Sequence, residues 1–172
     1  MFKILLLTSF TISSLLFAEY TNSNGKALEK PFKDLIRWVR SDVEPKLAQI
    51  DISSDWQTIN LNEADNYIIW IGHSTFLIKK EGITILTDPV FSDRASPFKS
   101  IGPERLIPPA MSIDQLPKID FVTVSHNHYD HLDINSLKEI SKLHPEAIFF
   151  VPIGDLKLLK RKRIKNVYEF TY

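Results

Sequence analysis

Three of the five histidines in this chain, and one carboxylate, fall within the run His126-Asn127-His128-Tyr129-Asp130-His131. Where a strand gives way to extended chain, alternate side chains point to the same side, so His126 and His128 can aim imidazole nitrogens at one cation. Asp130 and His131 lie beyond the turn. They are too close in sequence to join that tetrahedral site, yet placed to hold a second cation, since two-metal hydrolytic sites keep their ions about 3.5 to 4 Å apart. A solvated turn is the plain alternative, but this spacing between a buried strand and a capped helix points to metal. With no cysteine in the chain, disulfides, thiolate zinc sites, Fe–S clusters and cysteine nucleophiles are excluded. A mixed nitrogen and oxygen donor set favours zinc, with iron or manganese as alternatives.

The elements that must carry this run can be read on either side of it. Phe121 to Ser125 (FVTVS) is an apolar run short enough for a buried strand, and Asp133 caps a helix on which Ile134, Leu137, Ile140 and Leu143 share a side until Pro145 stops it. Ala147 to Val151 reads as a second buried strand, Asp155 to Arg163 as a second helix, and Asn166 to Phe170 as a further strand. Upstream, YIIWI from Tyr67, then STFLI, a KKEG turn marked by Gly82, and ITILT form a hairpin or meander that Asp88-Pro89 ends. Five prolines between Val90 and Lys118 predict a long irregular loop. Strands alternating with helices after a meander predict an α/β layered fold.

At 44% hydrophobic and 24% charged residues over 172 positions, the composition is that of a folded globular protein. The 21 basic and 21 acidic residues leave no basic excess for coating nucleic acid, so no nucleic-acid partner is expected. Met1-Phe2-Lys3 followed by an uncharged run to Ala18 reads as a signal peptide over residues 1–18, with a linker over 19–30. An exported, periplasmic or membrane-associated chain is therefore expected. Pro31 opens a short amphipathic helix with Phe32, Leu35, Ile36 and Val39 on one side.

Beyond these local signals, FVTVSHNHYDHLD resembles the metal motif of the metallo-β-lactamase superfamily, and LTDPVF resembles the acidic motif preceding it. Together with WIGHSTFLI, GPERL and VPIG, these segments resemble the N-acylphosphatidylethanolamine-hydrolysing phospholipase D family from about Pro31 to the C-terminus. The resemblance implies an αββα sandwich of which residues 31–172 are the N-terminal half, and two zinc ions. His126 and His128 would bind the first ion, Asp130 and His131 the second, and Asp88 would orient the metal loop from behind.

The chemistry so implied is attack of water, activated by coordination that lowers its pKa from 15.7 to about 7, on a phosphodiester of an N-acylated ethanolamine phospholipid. Asp130 would accept a hydrogen bond from the nucleophile. His73 is either a residue of the metal cleft or a hydrogen-bonded structural histidine. Arg94 and Arg105 either contact phosphate on the substrate side or form surface salt bridges. His144 is expected to serve as a helix C-terminal partner. The KLLKRKRIK run (Lys157 to Lys165) reads as a solvated helix face, with contact to an anionic membrane surface as the alternative.

No histidine follows His144, so the third histidine on the first ion, the bridging aspartate and the last histidine implied by the resemblance are absent. The expectation is a truncated metallohydrolase with an uncovered apolar sheet face, its missing C-terminal half supplied elsewhere. An inactive metal-binding remnant and a sugar-phosphate lactonase of the same superfamily are the alternatives.

Overall fold

A computed structural model describes residues 52–97, 100 and 102–171, together with 33, 36 and 37. The expected signal peptide and linker lie outside the described residues. The chain divides into two units, Met1–Ala48 and Gln49–Tyr172. In the first, Lys33, Ile36 and Arg37 are helical, and the rest of the expected amphipathic helix lies outside the described residues.

The second unit is built on one six-stranded sheet in chain order: β1 (Tyr67–Gly72), β2 (Thr75–Lys80), β3 (Ile83–Thr87), β4 (Phe121–Thr123), β5 (Ile148–Pro152) and β6 (Val167–Phe170). The first three run antiparallel, because short turns join them, and β3 through β6 run parallel. Between β2 and β3, Glu81 (φ 51°) and Gly82 (φ 82°) both adopt the left-handed conformation that a two-residue hairpin turn requires. Parallel pairing needs crossovers. They are the 88–120 loop, α1 (Ile134–Leu143) and α2 (Leu156–Arg161).

Alternation along each strand sets the two faces. Ile71, Leu77, Leu86, Val122, Phe149 and Val151 are buried and cluster with Leu137 and Ile140 of α1 and Leu159 of α2. The opposite face carries Ile68, Trp70, Phe76, Ile83 and Tyr168, each 37% exposed or more. Phe121, Phe150 and Tyr168 form a row of ring contacts across β4, β5 and β6, 5.9 and 6.2 Å apart between centroids. Among the described residues this face is open, and the second sheet of the expected sandwich is not seen there.

Two local expectations are corrected. Leu143 is 52% exposed, because each three-residue step along a helix falls about 60° short of a turn and carries it off the stripe that buries Ser136, Leu137 and Ile140. The second helix is shorter than residues 155–163, ending at Arg161. His144 stands at the C-cap of α1, as expected, its backbone N–H donating to Ile140 O at 2.8 Å. Burial holds its imidazole below the usual histidine value, its Nδ1 accepts a hydrogen bond from the Ile119 N–H at 3.4 Å, and its buried Nε2 has no hydrogen-bond partner among the described residues. With Nδ1 accepting, the ring carries its proton on Nε2.

Among the described residues, no helix is long and apolar enough to cross a membrane.

Candidate metal centre

Parallel strands deliver their C-terminal ends to one rim, which is where the histidine-rich loop leaves β4. Thr87 and Thr123 are register partners, so Asp88, just after β3, arrives beside Val124 and Ser125. Asp88 adopts φ 37°, a conformation that Asp tolerates better than most residues, and is held there from two sides. Its N–H donates to Thr123 O at 2.7 Å, and its carbonyl accepts from Thr75 Oγ1 at 2.7 Å. The side chain is thereby aimed at the loop.

Asp88 Oδ1 accepts the backbone N–H of Ser125 at 2.6 Å, and Oδ2 accepts Ser125 Oγ at 2.8 Å. Oδ2 also lies 2.9 Å from His131 Nδ1. A carboxylate can only accept, so His131 carries its proton on Nδ1 and leaves Nε2 as the free donor nitrogen. Ser125 Oγ, its proton committed to Asp88, lies 3.0 Å from His126 Nδ1, which fixes the same tautomer in His126. Nε2 is then the nitrogen that each ring keeps for a cation.

Behind Asp130, the loop turns tightly, with the N–H groups of His131 and Leu132 donating to His128 O at 3.0 and 2.7 Å. That turn folds Asp130 back. Two sets of donor atoms result, His126 with His128 and Asp130, and His73 with Asp130 and His131, each lying within 4.8 Å of one another. Asp130 is a member of both groups. The imidazoles crowd together, with ring centroids 4.7 Å apart for His126 and His128 and 3.9 Å for His126 and His131. Burial first, then His131 and His128, hold His126 below the usual histidine value, against the opposing pull of Asp130 and Asp88. Imidazole nitrogens beside a carboxylate are a donor set that divalent transition-metal ions take, so the residues present fit such an ion.

Both arginines are engaged with the loop between β3 and β4. Arg94 pairs with Glu104 at 2.7 Å and donates to Gly102 O at 2.9 Å, a loop-closing role. Arg105 donates to the carbonyls of Val90 and Ser92, and burial lowers its guanidinium from the usual value despite Asp133 and Asp93. A Cβ at Gly72 (φ 145°) would meet Arg105 Nη1 at 3.3 Å, so Arg105 packs beside the turn that carries His73.

Sequence reasoning passed over Ser125, whose hydroxyl links Asp88 to two histidines. Its only signal is its place before His126. Asp155, also passed over as a site residue, is buried, with its carboxyl raised by burial and by Glu169 and lowered by a hydrogen bond with Asn127 of the metal loop.

Residues 67–170 match the model of the Beta-lactamase superfamily domain. The chain is similar to N-acyl-phosphatidylethanolamine-hydrolyzing phospholipase D 1 of Caenorhabditis elegans, 45% identical over 103 residues, 60% of this chain and 29% of that protein. It is 37% identical over 106 residues, 62% of this chain and 22% of the relative, to the mitochondrial N-acyl-phosphatidylethanolamine-hydrolyzing phospholipase D of Saccharomyces cerevisiae. A UPF0173 metal-dependent hydrolase of Caldivirga maquilingensis is 35% identical over 66 residues, 38% of this chain and 23% of that protein. The chain therefore spans under a third of the length of these relatives. The matched family model covers the whole sheet, the metal loop and both helices that back it: the chain belongs to the metallo-β-lactamase superfamily and is similar to its N-acyl-phosphatidylethanolamine-hydrolysing phospholipase D members.

Proposed function

We propose that this chain is part of a zinc-dependent hydrolase that cleaves a phosphodiester of an N-acylated ethanolamine phospholipid, giving a phosphatidic acid and an N-acylethanolamine. The observation that carries the reading is the pair of donor groups sharing Asp130. The names of the relatives point to the substrate.

A bound zinc ion supplies Lewis acidity and brings the pKa of a coordinated water toward neutrality. His126 and His128 would hold one ion and His131 the other, with Asp130 within reach of both donor groups. Asp88 and Ser125 fix both the tautomer and the aim of His126 and His131, which keeps the donor nitrogens in place while substrate enters. Asp130, 44% exposed, is open to the cleft side and accepts a hydrogen bond from the attacking water. The remaining donors come from water or from polypeptide additional to the described residues.

The test is release of N-acylethanolamine from N-acylphosphatidylethanolamine in detergent micelles, read by mass spectrometry with and without a chelator. Release that the chelator stops and added zinc restores is expected. Hydrolysis of a sugar-phosphate lactone with the phospholipid untouched would move the chain to a lactonase, and no turnover of either would make it a metal-binding remnant.

A further inference from the structure

We propose that His73 is itself a metal ligand, the donor that joins Asp130 and His131 around the second cation. This rests on the metal-centre reading above and adds a residue from outside the histidine-rich run. His73 sits in the turn between β1 and β2, at φ 50°, a left-handed conformation uncommon for a residue with a Cβ. It is held there. Trp70 Nε1 donates to the His73 carbonyl at 2.8 Å, and the pairing register shifts between Trp70 and Gly72 to let the turn close.

The consequence is an imidazole set over the loop of another strand. His73 Nε2 lies 3.2 Å from Asp130 Oδ2, and its ring centre is 5.2 Å from that of His131 at an interplanar angle of 66°. His131 Nε2, the nitrogen left free by the bond to Asp88, lies 3.6 Å from the same Asp130 oxygen. Donors about 2.1 Å from a tetrahedral ion stand about 3.4 Å from one another. The two separations, 3.2 and 3.6 Å, bracket that spacing. A lone hydrogen bond from His73 to Asp130 explains the first separation but not why His131 Nε2 converges on the same oxygen.

The test uses the wild-type chain labelled with nitrogen-15 in its histidines and titrated with zinc, following the imidazole nitrogens by long-range nitrogen–proton correlation. His73 Nε2 is expected to move to the metal-coordinated range with the second equivalent, together with His131, while His144 stays unmoved. If His126, His128 and His131 move and His73 keeps a proton on Nε2, the assignment is overturned and the hydrolase reading stands. If no imidazole moves, both fall. His73→Ala should weaken the second ion at least about tenfold and leave the first within about twofold. Equal affinity for both ions in that variant would also overturn the assignment.

Discussion

Asp88 Oδ2 lies 2.9 Å from His131 Nδ1, across the boundary between the end of β3 and the loop after β4, and both side chains are largely shielded, at 10% and 15% exposure. One carboxylate therefore sets the tautomer of a donor imidazole while its other oxygen pins the Ser125 backbone. The loop is shaped before any ion arrives, which reduces what binding must order.

Asp88→Asn preserves size but puts an amide where both oxygens now accept. Zinc affinity should fall about 10- to 100-fold, measured by competition with a chromophoric chelator, with the circular dichroism spectrum retained. A change under twofold would show that the contact does not tune the site.

Because Asp130 belongs to both donor groups, Asp130→Ala should weaken both ions, whereas His128→Ala should weaken one. Zinc stoichiometry by equilibrium dialysis separates the two cases. Equal losses in the two variants would contradict the shared position of Asp130.

Asp133 ties α1 to the loop after β3. Its Oδ1 accepts the N–H of Asn135 at 3.0 Å, and its Oδ2 accepts the N–H of Ser92 at 3.0 Å and Ser136 Oγ at 2.6 Å. Asp133→Ala removes a helix cap and leaves buried donors unpaired, so unfolding in urea should show a loss of about 1 to 3 kcal/mol. A loss below about 0.5 kcal/mol, the range of ordinary surface substitutions, would contradict this role.

His144 gives a pH signature of its own. Its pKa is held below the usual value by burial, so its contribution is present above the unfolded value of about 6.5 and is lost as pH falls through the folded value. Against His144→Gln, whose side chain can also accept from Ile119, the wild-type urea midpoint should drop progressively below about pH 6.5. A gap between the two that is constant with pH would show that His144 does not titrate differently in the folded state.

Much of this arrangement was legible in the residues. The strands declared themselves by alternation and β-branched runs, and α1 by Asp133 at its cap, since these are local preferences that packing reinforces. The clustering of His126, His128, Asp130 and His131 was equally local. What could not be read was whatever depends on strand order. His73 meets Asp130 only because β1 through β4 lie side by side in one sheet, and Ser125 acts only because Asp88 arrives at the same level. Leu143 was misplaced because a three-residue spacing drifts around a helix, and although His144 is at the helix end as expected, a helix terminus does not tell whether a ring nitrogen there is buried.

Zinc content is the most direct measure of the metal centre. The purified chain, dialysed against micromolar zinc and analysed by inductively coupled plasma mass spectrometry, should carry about two ions, and the fourfold alanine variant at His126, His128, Asp130 and His131 should carry essentially none while keeping its secondary structure. Equal zinc in the folded variant and the wild type would contradict a metal centre in this loop.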